Sequence, residues 1–241
     1  MRHPGTLGVV NPVPNIDVLY EDNHVIVAVK PPNLLSQADD TGDMDMLTAI
    51  KQDLKIRHNK PGNVYLGLIH RLDRPVGGAM VFAKTSKAAS RLSDTVRKRE
   101  LGKEYIAVVH GVPASRHGTL KHTLLKDART NTVRVVPPGT AGGKEAVLDY
   151  DVLGSAEGMS LVRIALHTGR PHQIRVQMKQ LGCPLYGDQK YGAELNRPGQ
   201  QLALWSRRLT FPHPVTKTEM EFYSTPPHEY PWTIWKDSIL G

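Results

Sequence analysis

The stretch Gly67 to Thr85, GLIHRLDRPVGGAMVFAKT, sets an apolar run, a charged tetrapeptide, a glycine pair and a second apolar run in immediate succession. Val64 to Ile69 and Ala79 to Ala83 both read as strands, being short, apolar and bounded by turn residues. Gly77 and Gly78 let the backbone between them turn back closely. His70, Arg71, Leu72 and Asp73 then lie where the chain leaves a sheet, the place at which open sheets usually present ligands. A carboxylate there can act as nucleophile or base; it can equally cap a turn or pair with a nearby arginine.

Outward from this stretch, strand and helix signals alternate. Val25 to Val29 predicts a buried strand, stopped by Lys30-Pro31-Pro32. Met44 to Ile56 predicts a helix carrying Leu47, Ile50 and Leu54, with a loop over His58 to Asn63. Ser86 to Arg99 predicts a second helix, capped by Ser86, with Leu92 and Val96 on one face and Arg97-Lys98-Arg99 at the favourable C-terminal pole. Glu104 to Val109 reads as a strand ending at Gly111.

The second half reads as more antiparallel. Strands are predicted over Val147 to Leu153 and Ser160 to Leu166, joined by a hairpin at Ser155 to Gly158. A helix follows Pro171, running through Ile174, Met178 and Leu181 to Gly182, and strands over Leu202 to Trp205 and Glu219 to Tyr223 complete the pattern. Residues 1 to 15 carry prolines and glycines without periodicity and read as a flexible arm. Residues 16 to 241 read as one domain, since no repeat, low-complexity block or linker divides them. No N-terminal RNA-binding module is expected, because the first strand begins almost at once.

The 241 residues suffice for a real core, and 39% apolar with 22% charged composition is that of a globular chain. A net charge of +8 favours a polyanionic partner, with nucleic acid ahead of a membrane surface. The one cysteine, Cys183, excludes an internal disulfide and a cysteine-built metal site, and it agrees with a reducing, cytoplasmic setting. His110, His117, His122, His167 and His172 match none of the usual ligand spacings, and neither a phosphate-binding loop nor a dinucleotide fingerprint follows a strand. No metal and no cofactor is therefore expected. No run approaches the ~18 apolar residues of a membrane span, so no membrane partner is expected either.

Two further stretches carry polar groups suited to chemistry. In LHTGRPHQIRVQMKQLG, Leu166 to Gly182, a polar turn of Thr168, Gly169 and Arg170 precedes a helix that presents Arg175 and Lys179 at i, i+4. That pair suits phosphate contacts or plain solvated charge. In GKEYIAVVHG, Gly102 to Gly111, Tyr105 near the start of a strand can offer its ring to a base or sit in the core. With aromatics at 6%, one stacked base fits better than a broad stacking platform.

Five motifs in order resemble the RluA family of RNA pseudouridine synthases: HRLD at His70 to Asp73, KEYIAVVHG at Lys103 to Gly111, TGRPHQIRV at Thr168 to Val176, YGDQKYG at Tyr186 to Gly192, and LTFPHPVT at Leu209 to Thr216. The resemblance spans roughly Ile16 to Pro227. It implies an α+β fold, a mixed and largely antiparallel sheet bent around a central basic cleft with flanking helices. It implies isomerisation of uridine in ribosomal or transfer RNA, with no obligate protein partner. Asp73 would be the catalytic carboxylate, Tyr105 the ring on the target uracil, and Arg175 the ion-pair partner of Asp73. Arg71 would help displace the uridine, with His70, Arg170 and Lys179 as further RNA contacts. The chain departs from the family pattern at Val76, where a small hydroxyl residue is common, at Trp205, where histidine is frequent, and at Asn33, where glycine is usual. The rival from another class is a non-catalytic RNA-binding or ribosome-assembly factor that uses the basic cleft alone. A glycosidase using Asp149 or Asp151 ranks lower, because strand alternation places both on one face toward solvent.

Overall fold

Residues 16–235 are described by a computed structural model, and the expected N-terminal arm lies outside them. In chain order the elements are β1 (Asp17–Glu21), β2 (Val25–Lys30), α1 (Met46–Arg57), β3 (Gly67–Leu68), β4 (Gly77–Ala83), α2 (Ser86–Arg97), β5 (Gly102–His110), β6 (His117–Asp127), β7 (Thr132–Val136), β8 (Lys144–Ala156), β9 (Met159–Leu166), α3 (Gln173–Gln180), β10 (Leu204–Pro212) and β11 (Glu219–Tyr223). The strands form one eleven-stranded sheet in the order β1-β2-β4-β10-β5-β9-β8-β6-β7, with β3 added to β4 and β11 to β10. β4 and β10 run parallel, and the other named pairs are antiparallel. The architecture is the α+β, mixed and largely antiparallel one expected. Among the described residues, no helix is long and apolar enough to cross a membrane.

The two-residue period of the strands sorts the core into faces. β4 is buried along its whole length because helices cover both of its sides. Met80 and Phe82 join Ile50 and Leu54 of α1 and Ile174 and Met178 of α3 in one cluster. Ala79, Val81 and Ala83 instead meet Ala88 and Leu92 of α2. Along β5, Tyr105, Ala107 and Val109 share the cluster of α1 and α3, while Ile106 and Val108 meet Trp205, Trp232 and Trp235. Tyr105 thereby faces the side on which α3 begins.

One edge of β4 is taken by β2 from Gly78 to Ala83, so its other edge is shared. β10 pairs there with Gly77 and Gly78, and β3 with Phe82 and Ala83. The strand predicted over Val64 to Ile69 shrinks to Gly67–Leu68, because in this register Val64 to Leu66 would face residues 84–86, where β4 has ended and α2 begins. Side chains fill the gap in backbone pairing. Val81 N donates to His70 Nε2 at 3.1 Å, and Ser206 Oγ donates to Ala79 O at 3.0 Å. The glycine pair is what lets β10 approach: a Cβ on Gly77 would lie 2.2 Å from the Trp205 ring, and Gly78 has φ +118 with Ser206 O 2.3 Å from its Cβ position.

Other boundaries differ from expectation for local reasons. α2 is capped by Thr85, whose hydroxyl accepts from Ala88 N at 3.1 Å, and Ser86 is already helical. Pro171 lies outside α3, whose N-cap is His172 with φ 52. The expected Leu202 to Trp205 strand is displaced to Leu204–Pro212. β1, β6 and β7 go beyond the expected strands: β1, DVLYE, and β6, HGTLKHTLLKD, mix polar and apolar residues, whereas β7, TVRVV, carries a strand-like apolar pattern in a short run.

Candidate active site

A cleft of about 1490 Å³ is lined by the HRLD turn, the start of β5, the N-terminal end of α3, the segment after Gly187, and residues of the β6–β7 hairpin. Asp73 is 28% exposed, and Arg175 Nη1 lies 3.5 Å from its Oδ2. The stronger partner of Arg175 is a different carboxylate. Its Nε and Nη2 donate to the two oxygens of Asp188, each at 2.8 Å, in a fork-to-fork pair. The Asp188 side chain is 0% exposed and also accepts from Lys190 N and Tyr191 N at 3.0 Å each. Burial alone would raise its pKa, but Arg175 and those two N–H groups outweigh burial and hold it below 3.8. Burial likewise opposes the charge of Arg175, and Asp188, then Asp73, raise its pKa in return. One guanidinium thus sits between two carboxylates, locked to the buried one and offered to the accessible one.

The HRLD turn is pinned from several sides. Lys30, buried at 0%, donates from Nζ to Pro31 O, Leu34 O and Arg74 O at 3.1, 2.6 and 3.0 Å. Burial pulls its pKa down to about 7, with the charge of Asp73 acting against that fall. Ser36 Oγ donates to Leu72 O at 2.8 Å and accepts from Leu72 N at 3.1 Å. Asn33 sits at φ 66, the left-handed conformation that favours glycine and that asparagine tolerates. Its amide donates to Gln201 Oε1 at 2.7 Å, and the Gln201 amide donates to Pro75 O at 2.7 Å. Trp205 covers Gly77 and donates from Nε1 to Ser224 Oγ at 3.0 Å, so this departure from the family pattern serves packing.

The expected site residues are only partly brought together. Asp73, Tyr105, Arg175, Arg71 and Arg170 all line the cleft. Tyr105 is buried, and that burial, followed by the charge of Asp73, pushes its hydroxyl pKa up. Arg71 is exposed, and Arg170 donates from Nε to Glu145 O at 2.9 Å. His70 also borders the cleft, but its nitrogens turn inward: Nε2 serves Val81 N, and Nδ1 is buried without a partner. Burial, with Lys103 nearby, pushes its pKa down to about 3, so it is a neutral structural ring in place of the expected RNA contact. Lys179 does not reach the cleft. It is 49% exposed and lies 3.8 Å from Glu194, because α3 runs away from the cleft after its first turn. The expected basic face of Arg175 with Lys179 is absent, since Arg175 is buried.

Asp149 and Asp151 lie on the outer side of β8, as alternation predicted, bound to Thr119 and His167 and to Arg163 respectively. Asp188, Lys30 and His172 are the site residues that the sequence reading missed. Asp188 lies inside the YGDQKYG motif, yet spacing carries no sign that it meets Arg175. His172, whose spacing from the other histidines suits no metal, brings its Nε2 to 3.9 Å from Asp73 Oδ2.

A family model described as RNA pseudouridylate synthase matches residues 24–180. The Bacillus subtilis RNA pseudouridine synthase YjbO is 36% identical over 222 residues, an alignment covering 90% of this chain and 75% of that protein. The Bacillus subtilis RNA pseudouridine synthase YhcT is 33% identical over 211 residues, covering 83% of this chain and 65% of the relative. The ribosomal large subunit pseudouridine synthase D of Haemophilus influenzae is 32% identical, covering 89% of this chain and 68% of the relative. The chain thus spans between 65% and 75% of the length of these relatives. Among solved structures, human RNA pseudouridylate synthase domain containing 4 shares the fold with a TM-score of 0.74 at 24% identity, over 88% of both chains.

Proposed function

The chain belongs to the RNA pseudouridylate synthase family, and from that membership we propose that it isomerises uridine to pseudouridine in a structured RNA, with Asp73 as the catalytic carboxylate. The reaction breaks the bond between N1 of uracil and carbon 1′ of ribose, turns the base, and joins carbon 5 to carbon 1′. The proton on carbon 5 is then lost to a base and N1 gains one, so product and substrate are isomers and no electron is gained or lost. Such chemistry requires an ionised carboxylate next to the sugar and the ring. A guanidinium suits the neighbouring position because it stays charged at any working pH.

The observation that carries this reading is the 3.5 Å approach of Arg175 to Asp73 inside a cleft that Tyr105 also lines. Arg175 arrives already oriented by Asp188, so little reorganisation is needed when substrate enters. The target uridine must leave its stack, which costs a few kcal/mol. Stacking on the Tyr105 ring, worth ~1–3 kcal/mol, and phosphate contacts from Arg71 and Arg170 offset that cost. The described residues act in this reading as one catalytic domain. The relatives named for the large ribosomal subunit make ribosomal RNA the first substrate to test, with transfer RNA second.

The test is tritium release from RNA labelled at carbon 5 of uracil. Asp73→Asn is expected to bind RNA as the native protein does and to release no tritium. Release by that variant at the native rate overturns the assignment of Asp73.

A further inference from the structure

A run of polar contacts from three separate elements ends at Asp73, and the reaction as derived so far does not use it. His172 Nε2 faces Asp73 Oδ2 at 3.9 Å, on the same oxygen that Arg175 approaches. The other ring nitrogen, Nδ1, lies 2.6 Å from the Tyr191 hydroxyl. That hydroxyl accepts from Val133 N of β7 at 2.9 Å. Tyr191 is itself held in place, with the Arg175 guanidinium 5.1 Å from its ring centroid.

These contacts select one tautomer. The buried Tyr191 hydroxyl needs an acceptor for its own hydrogen, and His172 Nδ1 is the acceptor placed for it. Nδ1 is then unprotonated, and the imidazole hydrogen resides on Nε2, pointed at a carboxylate. The backbone agrees with a dedicated role. His172 occupies the N-cap of α3, where serine or aspartate would normally cap, yet it makes no side-chain cap bond. It holds φ 52, a left-handed conformation that side chains bearing a Cβ rarely adopt.

We propose that His172 is a positioning residue for Asp73: as the Nε2–H tautomer fixed by Tyr191, it turns a second N–H toward Oδ2 beside Arg175, at 3.9 Å an electrostatic contact rather than a hydrogen bond, and leaves Oδ1 as the oxygen that reacts. This rests on the reading of Asp73 as the catalytic carboxylate. The arrangement works with a neutral ring. A second proton would occupy Nδ1, displace the Tyr191 hydrogen bond and draw Asp73 into a tight ion pair. The groups that face the ring are Asp73 from the HRLD turn, Arg175 on its own helix, Tyr191 and Lys190 from the following segment, and Lys126 from β6. Burial, then the three cations, keeps its pKa below the ordinary 6.5 against the pull of Asp73, so the ring is neutral at pH 7 and charges only as pH falls through that lowered value.

The experiment compares kcat and KM by tritium release across about pH 5 to 8 for native protein, His172→Ala, His172→Gln and Asp73→Asn, with melting curves for each. His172→Ala is expected to lose about tenfold in kcat with little change in KM, because Asp73 loses an oriented N–H that holds one of its oxygens. His172→Gln keeps an amide donor that does not titrate, so it should lose less and should lack the acid-side fall shown by the native protein. Native kcat in His172→Ala, or an unchanged acid-side fall in His172→Gln, overturns the proposal. Asp73→Asn separates the two readings: activity in that variant removes the catalytic assignment, whereas inactivity there with native behaviour in both His172 variants removes this inference alone.

Discussion

Asp188 touches no solvent, and its importance lies wholly in what it holds. Removing its charge would leave the Arg175 guanidinium buried without its bidentate partner, and breaking such a pair from one side costs about 3–5 kcal/mol. Asp188→Asn is therefore expected to lower the urea midpoint strongly, and to lower kcat because Arg175 loses its orientation toward Asp73. The pH dependence has a definite sign. A carboxyl whose folded pKa lies below 3.8 stabilises the fold above that value, and the contribution is lost as pH falls through the lower folded value. Native protein should show this loss of stability in acid, and Asp188→Asn should lack that component. An Asp188→Asn midpoint equal to the native one at neutral pH would remove the buried pair from the account.

Single residues also show where a motif is informative and where it misleads. Asp73, Tyr105 and Arg175 meet in the cleft as their motifs implied. His70 and Lys179 sit in equally suggestive motifs, yet one completes a strand edge and the other faces away. A motif records that a residue type is needed, and both a ligand contact and a backbone hydrogen bond can need it.

At the scale of elements, α2 offers a clean test of local chemistry. Two hydroxyl residues stand side by side at its start, and the structure gives the capping bond to Thr85. Thr85→Ala is expected to cost about 1 kcal/mol, and Ser86→Ala to stay within about 0.5 kcal/mol. Equal effects in chemical denaturation would contradict the cap. β2, β4, β5, β9 and β11 were readable because their apolar runs or alternation are strong. β3 is shorter than its residues suggest for a non-local reason: they suit a strand, but β4 ends at Ala83, so Val64 to Leu66 have no strand beside them to pair with. β6 is hard to read because HGTLKHTLLKD buries only Leu124 fully, whereas β7, TVRVV, carries β-branched residues and buries Val133 and Val136.

Over the whole molecule, the net charge of +8 acquires a location in the cleft, where Arg71, Arg97, Arg99, Lys126, Arg170 and Lys190 are among the lining residues. If about six phosphates are neutralised, log K for single-stranded RNA should fall with log salt at a slope of about −4, roughly a hundredfold or more between about 50 and 200 mM. Filter binding with native protein and Asp73→Asn should return the same slope for both. A slope near zero would remove the electrostatic account of binding.

The sequence alone was enough to determine the family resemblance, the α+β class and most apolar strands, since these depend on residue type and short spacing; the grouping of Asp73, Tyr105 and Arg175 came only as what that resemblance implies. The tertiary structure alone decided that Arg175 is locked to Asp188, that Lys30 clamps the turn beside Asp73, and that His172 aims Nε2 at the same carboxylate. The contacts of Lys30 with Arg74 and of His172 with Asp73 join distant parts of the chain, and that of Arg175 with Asp188 joins α3 to the segment after it. A pattern read along one dimension carries no term for which buried charges will share a space, whereas closing the sheet leaves a buried charge no choice but to find its partner there.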